Sequence, residues 1–566
     1  MKSIQYTVVN IDPCLHRVDM RLIFSPSASH SIIGMPNWIP GSYKIRDFAK
    51  NMIALSAVAD GVAIECEAID KHRWSIHAEA KKIEVTYSVY TKDISVRTAY
   101  LDDQMFFFNL SSLCLYIEGE ENTSCLFTLH APKHPACKSW TVDTGMPHQK
   151  LDARKFGVYK ADNYDALIDH PFLIGRLHTI KFKAHGVAHR ISLVGASAFD
   201  HERLAHDLKK ICEAQIHLFG GSPVKKEYVF LTWVVGNGYG GLEHRNSTAL
   251  ITSRESLPYE QMPKEYQPYA EFLSLCSHEY FHTWHVKSTK PEAFMPYDLS
   301  KENYTRQLWI FEGFTSYYED IILLRAGLIS ESQYRTMFAQ KITSVERNPG
   351  YLVQSAADSS HSTWIKFYDP NENSPNVTVS YYTKGALIAW GLDVMLRRGG
   401  QYTLDDLVKY LWKTYGAQSI GVPENTVEKI ILEWGGKKLA KALHAWVNGV
   451  EPLPLLAWAK ASGWTLTHTS DNVDCHVELG VRLSSDGRNT VSVCLDHGAA
   501  QLAGISAGDE LIAINGIALR GKSLSDSLKR FQPKDAITVH VIRGDILLAY
   551  VVTLQAAKPA KVVLSI

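Results

Sequence analysis

His278, Glu279 and His282 stand in the order His-Glu-x-x-His within the segment LCSHEYFHTWHVK. On a helix, residues four apart lie about 6 Å apart along the axis and on one face. Two imidazoles so placed can converge on one Zn²⁺, each about 2.0–2.1 Å from the ion. Glu279 sits about 100° round the helix from His278, close enough to reach a water beside the ion without binding the ion itself. A carboxylate there can act as general base toward a water whose pKa the metal lowers. The chemistry this spacing points to is metal-assisted hydrolysis.

A catalytic zinc needs a third protein ligand and an open fourth position. His285 is the first candidate, because i+7 returns to the face of His278. It would lie about 10.5 Å up the axis, however, and a straight helix cannot bring three such rings to one ion. The glycine-containing HExxHxxGxxH pattern, whose turn returns a third histidine, is also absent. A packing or supporting role is therefore expected for His285. The segment RQLWIFEGFTSYYEDIILL reads as a helix with Glu312 in its first part, and Gly313 beside it permits close backbone approach. Glu312 would complete a His₂Glu set of His278, His282 and Glu312 around one zinc ion per chain. Glu319 shares its face seven residues on and can orient a ligand histidine by a hydrogen bond.

These residues carry a family resemblance. HExxH followed by WxxEG is the arrangement of gluzincin metallopeptidases such as aminopeptidase N. Here 29 residues lie between His282 and Glu312, more than is usual there, so an insertion (STKPEAFMPYDLSKENYT) intervenes. With HEYFHTW and LWIFEGFTSYYED, the insertion resembles the glycyl aminopeptidase family of bacterial metallopeptidases. WIPGSYKIRDF, VRTAYLDD and YDALIDHP extend that resemblance toward the N-terminus. His285 departs from it, standing where the family is expected to have asparagine.

Two further segments bear on a site of this kind. In GNGYGGLEH, Gly240 and Gly241 let an edge backbone approach a substrate, and Glu243 can pair with an α-ammonium. No Gly-Lys-Ser/Thr follows, which rules out a phosphate-cradling loop. The segment resembles the GxMEN motif of aminopeptidase N, with His244 in place of asparagine. In VSYYTKGALIAW, Tyr382 has the spacing of the YxKG motif, and the resemblance implies a phenol that hydrogen-bonds the developing oxyanion. The resemblance also implies an aminopeptidase that prefers a small N-terminal residue, glycine or alanine, on a peptide with a free N-terminus. Two other readings stand beside it: an endopeptidase supplied by a peptide-binding module, and a peptide-binding scaffold with an inactive site.

The elements that must position these residues follow from periodicity, and the fold class expected is multidomain α+β. Residues 1–165 show short alternating runs such as SIQYTVV and KKIEVTYSVYT, which predict a β-sandwich. WIPGSYKIRDF within them reads as a structured loop packed on the next domain or as core aromatics. HERLAHDLKKICEAQIHLFG is helical and stops at Gly220-Gly221, and EYVFLTWVV is a buried strand. Helices are expected over 265–285, 305–326, 330–346, 382–398 and 403–416. The resemblance makes 166–330 a thermolysin-like catalytic domain, and 331–465 reads as its helical continuation. Residues 470–560 return to β; LGVRL and GISAGDELIAING resemble a PDZ domain, which accepts an extended peptide at a sheet edge.

The bulk composition narrows the partners. With 59 basic and 59 acidic residues, nothing argues for nucleic acid or an anionic membrane surface. Nine scattered cysteines without a CxxC pair read as reduced thiols. No apolar signal core and no continuous apolar run of 18 residues is present, so a cytoplasmic location is expected.

Overall fold

The structure is a computed structural model that describes residues 3–470, 475–485, 487–520, 523–559 and 561–566. The boundaries expected at 470 and 560 abut residues 471–474 and 560, which lie outside the described residues. The chain forms two compact units. The first comprises Met1–Asn303, Ile321–Ile329 and Val408–Pro423, and the second Tyr304–Asp320, Ser330–Leu407 and Glu424–Ile566.

The first unit begins with a β-rich region. Its eight-stranded sheet runs His148–Leu151, Gly157–Ala161, Cys125–Leu129, Ile4–Asp12, Arg17–Phe24, Ile83–Tyr90, Met52–Ala59, Val62–Ile64. Alternation explains it: Val18, Met20, Leu22 and Phe24 on one strand, and Ile83, Val85, Tyr87 and Val89 on its neighbour, are all buried. Two four-stranded sheets complete the region, one of them carrying Ala99–Leu101, Met105–Phe108 and Phe172–Gly175. The strands thus continue past 165 to Gly175.

A five-stranded sheet follows in the order His178–Ala184, Val187–Val194, Glu227–Val235, Ser247–Ser253, Gly240–Glu243. Its three inner strands are parallel, and Gly240–Glu243 is an antiparallel edge. Glu227–Val235 is buried on both faces, which accounts for the unbroken apolar run of EYVFLTWVV. The helix His201–Phe219 is capped by Asp200, whose side chain accepts from the Arg203 amide, and ends at Gly220 with φ 74°. Val229, Leu231, Trp233 and Leu242 share one continuous core with the N-terminal sheets.

The second unit is helical and then β-rich. Its helices include Glu331–Glu346, Tyr381–Gly399 and Thr426–Asn448, the last broken at Gly436 (φ 74°). The expected helix 305–326 is two pieces, Leu308–Phe311 and Gly313–Arg325, with Glu312 at the junction. The C-terminal β module has its own core, containing Leu479, Val491, Leu511, Val539 and Val552. Its hairpin turn places Asn515 (φ 49°) and Gly516 (φ 75°) in the left-handed conformations that an Asn-Gly turn favours. The final strand, Lys561–Ser565, returns to pair with Thr465–Thr469.

Candidate active site

The helix Gln267–Phe281 is buried on nearly every side. Between Phe272 and Phe281 only His278 is not fully buried, so the one open side of this helix carries the first histidine of HExxH. The helix ends at Phe281 and His282 is its C-cap. This departs from the expected span 265–285. The chain turns at 282–285, so His285 does not continue the helical face. Its carbonyl instead accepts a hydrogen bond from His282 Nδ1 at 2.7 Å. A carbonyl can only accept, so Nδ1 carries the proton and Nε2 keeps its lone pair for a metal. The His278 and His282 rings stand 4.6 Å apart at 85°. Val286 follows with φ 150°, a costly conformation for a β-branched residue, at the point where this reversal is made.

Glu279 is buried and lies against the edge strand. A Cβ on Gly241 would meet the Glu279 Oε1 at 2.1 Å, so glycine is required where carboxylate and strand meet. Arg97, from VRTAYLDD, donates from NH2 to the Gly241 carbonyl at 3.2 Å and holds that edge in place. Glu243 closes the strand, is buried, and has an Oε1 without a hydrogen-bond partner among the described residues. One ligand-type atom from each of Glu243, Glu279 and His282 lies within 4.8 Å of the others.

The WIPGSY loop of the β-rich region reaches this place. Gly41, with φ 94°, sits so close that a Cβ on it would be 2.6–2.7 Å from both Glu243 carboxylate oxygens. The loop is anchored to the insertion: Trp38 Nε1 donates to the Asp298 carbonyl (2.8 Å), and Asn37 Nδ2 to that of Ser300 (2.7 Å). Both readings of this loop hold in part: it bonds to the insertion, and Ile39 and Phe48 are buried in the hydrophobic core. Gly41 and Arg97 are the residues sequence reasoning missed, although both lie in motifs that carried the family resemblance.

Beside Glu243, His244 is buried with Nδ1 3.3 Å from Asp169 Oδ1, and Lys287 Nζ lies 2.7 Å from the same oxygen. Burial alone would raise the Asp169 pKa. The Lys287 ammonium, then Arg245 and His244, override it and hold the carboxyl well below its ordinary value.

In the second unit Glu312 is buried at the helix junction. Gly313 and Gly385 interlock there: a Cβ on Gly313 would meet Gly385 Cα at 2.5 Å, and one on Gly385 would meet the Trp309 carbonyl oxygen at 2.6 Å. The glycines of WxxEG and YxKG therefore exist for each other. Tyr381 is fully buried and accepts from Thr363 Oγ1 at 3.0 Å. Burial, then Tyr368 and Glu312, push its phenol well above the ordinary range. Tyr382 is half-buried, with its hydroxyl 3.0 Å from that of Tyr368. Glu319 is ion-paired with Lys341, which also lies 3.1 Å from Asp320.

Comparison with known proteins places the chain among peptidases. Residues 5–176 match the Peptidase M61 N-terminal domain and residues 271–388 the M61 glycyl aminopeptidase. An aminopeptidase N family protein from Idiomarina loihiensis is 40% identical, with a TM-score of 0.95 over 100% of this chain and 98% of that one. An M1 zinc metallopeptidase from Deinococcus radiodurans, solved with a Tyr-Ser-Ala substrate, is 11% identical with a TM-score of 0.49, over 80% of this chain and 94% of its own. No curated protein matches. The chain is a metallopeptidase. It belongs to the M61 glycyl aminopeptidase family.

Proposed function

We propose that this protein is a zinc aminopeptidase that removes a small N-terminal residue, glycine or alanine, from peptides. In this reading His278, His282 and Glu312 hold the ion, and Glu319 orients a ligand histidine. The observation that carries it is the grouping of Glu243 and Glu279 around a His282 whose Nε2 is left for a metal. Glu243, Glu279 and His282 are themselves compact enough to hold an ion. Assigning the ion to the His₂Glu set instead leaves both carboxylates for the two tasks an aminopeptidase needs, a base and an amine partner.

When bound, zinc would supply Lewis acidity, lowering the pKa of water to about 7 and polarising the scissile carbonyl. Glu279 takes the proton from the attacking water and returns it to the departing amine. Glu243 pairs with the substrate α-ammonium, and its unpartnered Oε1 is suited to receive that group. Gly240 and Gly241 bring the edge strand close to the peptide backbone. Tyr382 donates to the oxyanion as it develops, while the fully buried Tyr381 packs beneath it. The C-terminal module is a PDZ domain in this reading, with an extended peptide as the ligand its groove would take. Among the described residues no helix is long and apolar enough to cross a membrane.

Metal removal tests the assignment. Dialysis against a chelator should abolish hydrolysis of glycine anilide, and one equivalent of zinc per chain should restore it. Full activity in protein shown to be metal-free would refute it.

Gly41 gives a second expectation. Gly41→Ala adds a methyl group where Glu243 stands and places alanine at φ 94°, a cost of about 1–2 kcal/mol. If that cost is expressed at the amine subsite, kcat/KM for free-amine substrates falls about tenfold, mainly through KM. An unchanged KM would detach Gly41 from substrate binding.

A further inference from the structure

A cavity of about 1270 Å³ in the first unit lies outside the residues assigned above. Its lining includes Arg245, Lys287 and Lys290 together with Phe294, Pro296 and Tyr297. Two of the cations are matched. Lys287 sits on Asp169, and Arg245 is paired with Asp165 and lies 3.6 Å from Asp169. Lys290 is the surplus charge. Its side chain is more than nine-tenths buried, and its ammonium stands 4.8 Å from the centroid of the Tyr297 ring. No carboxylate among the described residues lies within 4 Å of it. A buried ammonium without an anionic partner is costly, whereas one that faces a roomy cavity can take its partner from solution.

We propose that this cavity binds a tetrahedral dianion of the phosphate class, free or as the head of a larger molecule, with Lys290 as the principal contact and Lys287 and Arg245 beside it. Counting Lys225, Lys226, Glu121 and Glu227, which also line the cavity, five cations stand against four carboxylates, Asp169 included, and one positive charge is left for the ligand. The volume far exceeds a single phosphate, and Phe294, Pro296 and Tyr297 in the lining offer apolar surface for the remainder. Burial, then Lys287 and Arg245, pull the Lys290 pKa down to about 8 against the opposing effect of Asp165 and Asp169. The main-chain segment is held independently of the side chain: the Val422 amide donates to the Lys290 carbonyl at 2.8 Å, and the Glu292 amide to that of Val422 at 3.0 Å.

Calorimetric titration of the full-length, zinc-loaded protein with inorganic phosphate and with phenyl phosphate tests this. Saturable binding of either probe is expected, weakened at least tenfold by Lys290→Met and recovered to within about threefold by Lys290→Arg. Tighter binding of phenyl phosphate would assign the head group of a larger molecule, and tighter binding of inorganic phosphate the free ion. Should Lys290→Met not fold, Lys290→Gln makes the same comparison with a polar head retained. Absence of saturable binding, or binding that Lys290→Met leaves unchanged, would overturn the proposal.

Discussion

Glu279→Gln should lower kcat for glycine anilide by about 10³-fold, within the range that general-base catalysis contributes, and leave the zinc content at one per chain. The substitution keeps shape and burial and removes only the ability to take a proton. Glutamine matches glutamate in size, so it fits the space that Gly241 leaves beside this side chain. Activity near wild type would mean that another group accepts the proton, and Glu243, buried and within the same cluster, is the one to examine. Loss of zinc together with activity would instead place Glu279 among the ligands.

Glu312→Gln should release the metal, while Glu243→Gln retains it. Losing a partner behind a ligand costs roughly 10–100-fold in metal affinity, and losing the anionic ligand itself should cost more. Glu312→Gln keeps the size of the side chain and leaves the close approach of Gly313 and Gly385 intact, so the fold should be retained. Elemental analysis of the two variants separates the two possible ion sets. Zinc lost from Glu243→Gln but kept in Glu312→Gln would move the ion to Glu243, Glu279 and His282. In the assigned arrangement Glu243→Gln acts on substrate instead, raising KM for peptides with a free amine.

Local features were legible in the sequence because they rest on period and turn chemistry. The strand EYVFLTWVV, the stop at Gly220 and the Asn515-Gly516 hairpin need only neighbours a few residues away. The HExxH spacing was legible for the same reason. The end of its helix was not. His282, Thr283 and Trp284 continue an ordinary pattern, and nothing in their types announces that His285 will turn back to offer its carbonyl to His282. The break at Glu312 is similar, since Gly313 suggested close approach without saying that Gly385 was the partner. Gly41 lies about 200 residues from Glu243. Contacts of that range follow from the stacking of the β-rich region on the catalytic sheet, and no local pattern encodes them.

In the proposed reading the enzyme reads a free amine next to the bond it hydrolyses. The most direct measurement is kcat/KM of the zinc-loaded protein for glycine anilide against its N-acetylated form. Recognition of the α-ammonium by Glu243 predicts a preference of at least about 10²-fold for the free amine, in line with roughly 2–4 kcal/mol for a charge-paired contact. Equal rates on the blocked and unblocked substrates would contradict it.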